Sequence, residues 1–237
     1  MEIYFLTPEQ SYPRLQNLHI NTGCTKAHTG SIISFNSEQK MLLLHLMKQL
    51  ENLLSPYSSR ISKIEFVLLN SGVYWDFPFT WGKSMIMITP NIFAKPRKII
   101  KKILAHEWVH LDQRRNPKKY KRFYKSLGFR RKHIDFGALT PYLLRNPDAD
   151  TYEWTWKSPD GGPTYAPVAL LKSCEFNTVL LEMNGTIHRI EDVPAYYERF
   201  GVKKQLYHPN EIAAHLIADM LVDKINYVQV NLDMLLH

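Results

Sequence analysis

The sequence predicts an α+β protein, because strand-like and helix-like segments are segregated along it more than they alternate. Residues 1–132 combine short apolar strand runs with amphipathic helices, residues 135–184 change to hairpin material, and a strong helix follows near the end. With 45% hydrophobic and 12% aromatic residues in 237, the chain has the apolar content to bury a large core. No internal repeat or low-complexity linker forces a cut, so a single domain is expected, with an N-terminal lobe over 1–132 and a C-terminal lobe over 133–237.

"EIYFLTP" reads as a first strand, and Ser37 to Pro56 as an amphipathic helix with a serine N-cap and a proline stop. "KIEFVLLN" is a buried strand. The following "GVYWDFPFTWGK" is too aromatic for an ordinary linker and is expected to fold back onto the core. "SMIMITP" alternates as a strand and stops at a proline. From Pro96 the period becomes helical: Ile99, Ile103, His106, His110 and Gln113 form one inward stripe, and Ile100, Leu104, Glu107 and Leu111 the adjacent one. Arg97, Lys101, Trp108, Asp112 and Arg115 fall largely opposite. A basic helix, "PKKYKRFYKSLGF", comes next. Two aromatic, β-branched runs then flank a Pro and Gly turn in "DTYEWTWKSPDGGPTYAPVALL", and two more flank Asn184-Gly185. Pro209 announces the last helix, "HPNEIAAHLIADMLVDKI".

The chemistry concentrates in "LAHEWVHLDQRR". On a helix, residues i and i+4 share a face, so His106 and His110 can direct ring nitrogens to one Zn2+ ion. Glu107, rotated about 100° from His106, falls outside the ligand set but beside a zinc-bound water, where a carboxylate serves as general base. A shuffled chain of this composition contains about 0.02 such HExxH matches, so coincidence is a weak account. The histidines also sit among Ile99, Ile103 and Leu104, where burial demands a partner.

No third histidine follows closely, so the remaining ligand must come from elsewhere. The last helix aligns Glu211, Ala214, His215, Ala218 and Val222 on one face, a carboxylate and an imidazole between small residues that permit close packing. Glu211 is the expected ligand, with His215 or His208 as alternatives; in the first turn after Pro209 it is also suited to capping that helix. His215, Tyr207 or His208 would then donate a hydrogen bond to the oxyanion of a tetrahedral intermediate. Asp219 or Asp112 would orient a ligand histidine. Aromatic residues in 72–82 and 152–156 are candidates for lining a cleft, although core packing is the commoner use.

His106-Glu107-Trp108-Val109-His110 resembles the zincin metallopeptidase signature, and a downstream helix bearing Asn210-Glu211 resembles the gluzincin arrangement. That resemblance implies a zincin-like fold: a small mixed sheet whose edge strand lies beside the HExxH helix, and a C-terminal lobe whose helix supplies the third zinc ligand. It implies His106, His110 and Glu211 as ligands, Glu107 as base, and "SMIMITP" as the edge strand along which a peptide substrate lies. His215 stands where an aspartate often follows the gluzincin glutamate. Taken with "RNPD" at Arg145 to Asp148 and "YHPNEIAAH", the motif is also similar to uncharacterised zincin-like proteins of large DNA viruses.

Charge adds a second theme. Residues 97–132 hold fourteen Lys and Arg against Glu107 and Asp112, a net +12, while the rest of the chain is −4. This basic segment suits an anionic partner, nucleic acid or acidic protein, with Tyr120, Phe123, Tyr124 and Phe129 interleaved as stacking candidates; a solvated face whose aromatics point inward is the plainer reading. Two functions of different class follow: a zinc-dependent metallopeptidase acting on a protein or peptide, or a non-catalytic zincin-fold binding protein of nucleic acid or virions. Neither a signal peptide nor a membrane span is legible, so an intracellular location or packaging in a virion is expected. Cys24 and Cys174 show no paired spacing and read as free thiols.

Overall fold

The computed structural model describes residues 1–15, 31–54, 56, 61–149, 151–172, 175–201 and 205–225. Cys24 and Cys174 lie outside them. The chain is mixed α and β, with two five-stranded sheets.

The first sheet comprises β1 (Glu2–Phe5), β2 (Ile32–Ile33), β3 (Lys63–Leu69), β4 (Phe79–Trp81) and β5 (Met85–Ile88). Its order is β1-β3-β5-β4, with β2 also paired to β3. β1 and β5 run parallel to β3, whereas β2 and β4 are antiparallel to their neighbours. Period-two alternation on β3 and β5 assigns the two faces. Ile64, Phe66, Leu68, Ile86 and Ile88 enter the main core with α2 (Ser37–Leu54) and α3 (Arg97–Arg115). Val67, Leu69, Met85 and Met87 pack on the other face with Leu15 of α1 (Pro8–Leu15), Tyr74 and Phe79. Helix α1 has no counterpart in the sequence reading because Pro13 lies inside it.

The edge strand differs from expectation. "SMIMITP" forms β5, which lies between β3 and β4, so the edge is β4, drawn from the aromatic segment read as a loop. Only three residues long, β4 is too short for periodicity to reveal.

Helix α3 departs from simple amphipathicity: every residue from Leu104 to Gln113 is buried, including Trp108 and Asp112, which the helical period places opposite the inward stripes. The opposite face is covered by α4 (Pro117–Ser126), whose Tyr120 hydroxyl donates to the Asp112 carboxylate. Asn116 and Lys119 donate to the same carboxylate, so Asp112 serves the α3–α4 junction and not a site histidine.

The second sheet is an antiparallel meander, β6 (Phe129–Arg131), β7 (Trp154–Lys157), β8 (Thr164–Lys172), β9 (Glu175–Glu182) and β10 (Ile187–Arg189), with strands in chain order. β6 lies on the N-terminal side of the expected lobe boundary and forms one edge of this sheet. Its register is fixed at Gly128 (φ +97), where a Cβ would stand 2.9 Å from the Trp156 indole nitrogen, which donates to Leu127 O. After α5 (Pro194–Phe200) comes α6 (Pro209–Ala218), which packs along α3 and continues into a π-helical turn, Asp219–Asp223. One apolar cluster joins α2, α3, β3 and β5 to β7 and α6. Among the described residues, no helix is long and apolar enough to cross a membrane.

Glu65 is 2% exposed on the Val67 side of β3, held by two hydrogen bonds from Arg14 and by Lys63 and Ser84. The Arg14 bonds, outweighing burial and aided by Lys63 and Ser84, pull its carboxyl down to about 2. The stabilisation is therefore complete above its unfolded value near 4.5 and is lost as pH falls from there towards about 2. Because Arg14 and Lys63 are partly solvated, on the order of 2 kcal/mol is at stake. Glu65→Gln is expected to lower the unfolding free energy by about that amount at pH 7 and to flatten the stability decline between pH 5 and pH 2 in urea titrations.

Candidate metal centre

The antiparallel packing of α3 against α6, with Gln113 beside Asn210 and Lys102 beside Asp219, brings three side-chain atoms to one point. His106 Nε2 and His110 Nε2 are 2.9 Å apart, His106 Nε2 is 3.2 Å from Glu211 Oε2, and His110 Nε2 is 3.6 Å from the same oxygen. Ligands at 2.0–2.1 Å around a tetrahedral zinc lie about 3.3 Å from one another, so this triangle has the dimensions of one tetrahedral face. Glu211 Oε2 and Glu107 Oε2 are both buried without a hydrogen-bond partner. Imidazole, imidazole and carboxylate form a donor set suited to zinc.

The groups around the triangle fix its members. Gln113 Nε2 donates to Asn210 O at the start of α6, which leaves Gln113 Oε1 to accept from His110 Nδ1 at 2.8 Å. The Nδ1 hydrogen bond orients the ring so that His110 Nε2 faces Glu211. On Glu211, Oε1 accepts from Asn146 Nδ2 at 2.6 Å, so Oε2 alone faces the histidines. Asn146 also donates to the Tyr207 hydroxyl. Asp148 accepts from the Thr80 amide and hydroxyl and from Arg114, and Asn210 Nδ2 donates to Asp148 O, clipping the 146–148 segment to α6.

Electrostatics follow this geometry. Burial opposes charge on His110, but the Asp148 and Glu211 carboxylates outweigh it and push the imidazole up to about 10. Burial also opposes ionisation of Glu211, yet His110 and His106 hold its carboxyl well below the ordinary range. His106 is depressed by burial despite Glu211. Burial, with Asp148 nearby, pushes Glu107 well up. The pocket thus favours added positive charge.

His106 and Glu107 open onto a cavity of about 400 Å³ with Trp75, Phe77, Ile103 and His215 in its wall. The expected cleft aromatics divide here. Trp75 and Phe77 line it, whereas Trp154 and Trp156 are core residues and the Tyr152 hydroxyl donates to Leu144 O. The β4 edge is not free at its centre: Asp148 binds the Thr80 amide, and Arg114 donates to Thr80 O.

The remaining predicted residues take distinct places. The His215 ring lies 4.5 Å from that of His106, can join His106 and Glu211 in one ligand group, and contacts Gln205 Oε1 through Nε2 at 2.8 Å. Tyr207 is 1% exposed, bound to Asn146 and not part of the cavity wall, so it sits behind Glu211. His208 caps α6: Nδ1 accepts from Asn210 N and Nε2 donates to Thr151 O. Asp219 pairs with Lys102. Asn146 and Asp148 were visible in sequence only as part of "RNPD", while the roles of Gln113 and Gln205 carried no local signal.

Asn146→Ala is expected to weaken Zn2+ binding about 10- to 100-fold, measured by competition with a chromophoric chelator, because Glu211 loses the bond that orients it. His208→Ala, which touches no group of the triangle, is expected to bind as the parent does. Comparison with family models, curated proteins and solved structures finds no match for the chain, so the reading of this centre stands on its own chemistry.

Proposed function

We propose that the chain is a zinc-dependent metallopeptidase in which His106, His110 and Glu211 hold the ion and Glu107 is the general base. The observation that carries this reading is a ligand triangle of zinc dimensions at a cavity into which the Glu107 carboxylate opens with one oxygen unpartnered. Zn2+ when bound supplies a Lewis acid that acidifies water, polarises a carbonyl and keeps the buried Glu107 ionised.

Glu107 accepts a proton from the attacking water and returns it to the amine nitrogen as the C–N bond breaks, leaving a carboxylic acid and an amine. His215, in the cavity wall beside His106, is the candidate donor to the carbonyl oxygen. Tyr207 acts indirectly, through Asn146 and Glu211. Because Asp148 and Arg114 occupy the middle of the β4 edge, the substrate is placed against Trp75 and Phe77, which precede that strand.

Two measurements test this. Elemental analysis of protein purified without added metal or a histidine tag is expected to give about one zinc per chain, lost in Glu211→Ala. Glu107→Gln is expected to retain zinc and to lower kcat on a mixed peptide library about 10²- to 10⁴-fold. Unchanged turnover in Glu107→Gln would sink the reading.

A further inference from the structure

The basic segment does not survive folding as one surface. Lys98 and Lys102 are neutralised by Asp219 and Asp223, Lys119 by Asp112, and Arg114 and Arg115 turn towards backbone carbonyls and Asp148. Four basic residues form a row on α4: Lys118, Lys121, Arg122 and Lys125, all exposed, at i, i+3, i+4 and i+7. The row is about 10 Å long. Among the described residues, Lys118, Lys121 and Lys125 have no ion-pair partner. Arg130 donates to Lys125 O, which sets the β6 edge, with exposed Arg130 and the Lys132 that follows the strand, against the end of the row.

We propose that this α4–β6 face docks double-stranded nucleic acid through its phosphate backbone. A straight row of cations complements regularly spaced phosphates and needs no base contact. Single strands are disfavoured because the interleaved rings are unavailable for stacking: Tyr120, Phe123, Tyr124 and Phe129 are all at most 4% exposed. A membrane surface is disfavoured because the row carries no exposed large apolar side chain to insert. The face is independent of the metal reading, since neither α4 nor β6 contributes to the triangle or the cavity wall.

The test is fluorescence anisotropy with a 20-base-pair DNA duplex of arbitrary sequence, a matching single strand, and anionic vesicles, between 50 and 200 mM salt. The duplex is expected to bind, with a log–log salt slope of about −5 for six cations. Replacing Lys118, Lys121, Arg122 and Lys125 by Gln is expected to lower affinity at least ~30-fold at 50 mM salt and to cut the slope to about −2, with the Tm unchanged. The single variant Lys121→Glu is expected to weaken binding several-fold. A charge-matched control, Lys40, Lys48, Lys83 and Lys172 to Gln, is expected to stay within about threefold. No duplex binding at 50 mM salt, equal loss in both quadruple variants, or tighter binding of single strand or vesicles would each overturn the proposal.

Discussion

Three acceptors buried at one point between α3 and α6 are the constraint around which the rest of the structure is arranged. A carboxylate and two imidazoles so placed depend on one another for their charge, because burial removes the water that would otherwise solvate each group. The elements beside the triangle act to keep it from relaxing. Gln113 ties His110 to the first turn of α6, Asn146 holds one oxygen of Glu211, and Asn210 fastens the 146–148 segment to the same helix. Apart from the Gln113–His110 bond within α3, each bond crosses between elements distant in sequence, so the centre is held by tertiary structure and not by one helix.

The wall of the cavity carries a second cost. Tyr74, Trp75 and Asp76 are three successive non-glycine residues with φ of 51°, 54° and 61°, a left-handed run that costs about 1–2 kcal/mol per residue. It is sustained by a bond from the Gly72 amide to the Asp76 carboxylate, by the burial of Tyr74 against Phe79, and by Trp75 packing on Phe176 of the second sheet. The strained turn aims Trp75 and Phe77 at the cavity. Tyr74 also hydrogen-bonds Tyr207, which is joined through Asn146 to Glu211, so wall and triangle share one buried polar chain.

How much of this was legible depends on the reach of each signal. His106, Glu107 and His110 are separated by one helical turn, so their juxtaposition follows from periodicity alone, and Glu211 was reachable because small residues around it marked a face for close packing. Asn146 and Asp148 were not, because their partners lie 65 residues away at Glu211 and 68 residues back at Thr80. The edge strand was misplaced for a related reason. β4 is three residues long, and its pairing to β5 gives the apolar "SMIMI" run an interior position that a hydrophobic pattern cannot tell from an edge. On α3, periodicity put Trp108 and Asp112 opposite the core, but the α4 packing that covers Asp112 is set by a hydrogen-bonded turn at Asn116 and Pro117.

Charge illustrates the same limit from the other side. A count along the sequence finds +12 between residues 97 and 132, yet folding sorts those cations by what lies across from them. Lys98 and Lys102 of α3 meet the aspartates of the π-helical turn, and Arg114 is spent on Thr80, Pro147 and Asp148 beside the triangle. On α4, by contrast, Lys118, Lys121 and Lys125 face outward, while Lys119 turns to Asp112 and Arg131 of β6 to Glu153. α3 is 19 residues long, so its roughly 28 Å carries the cavity near its N-terminal half and delivers α4 at the far end. The two halves of one basic segment therefore do different work: on the first, Lys98 and Lys102 are paired beside the cavity, and on the second, Lys118, Lys121 and Lys125 keep their field in solvent.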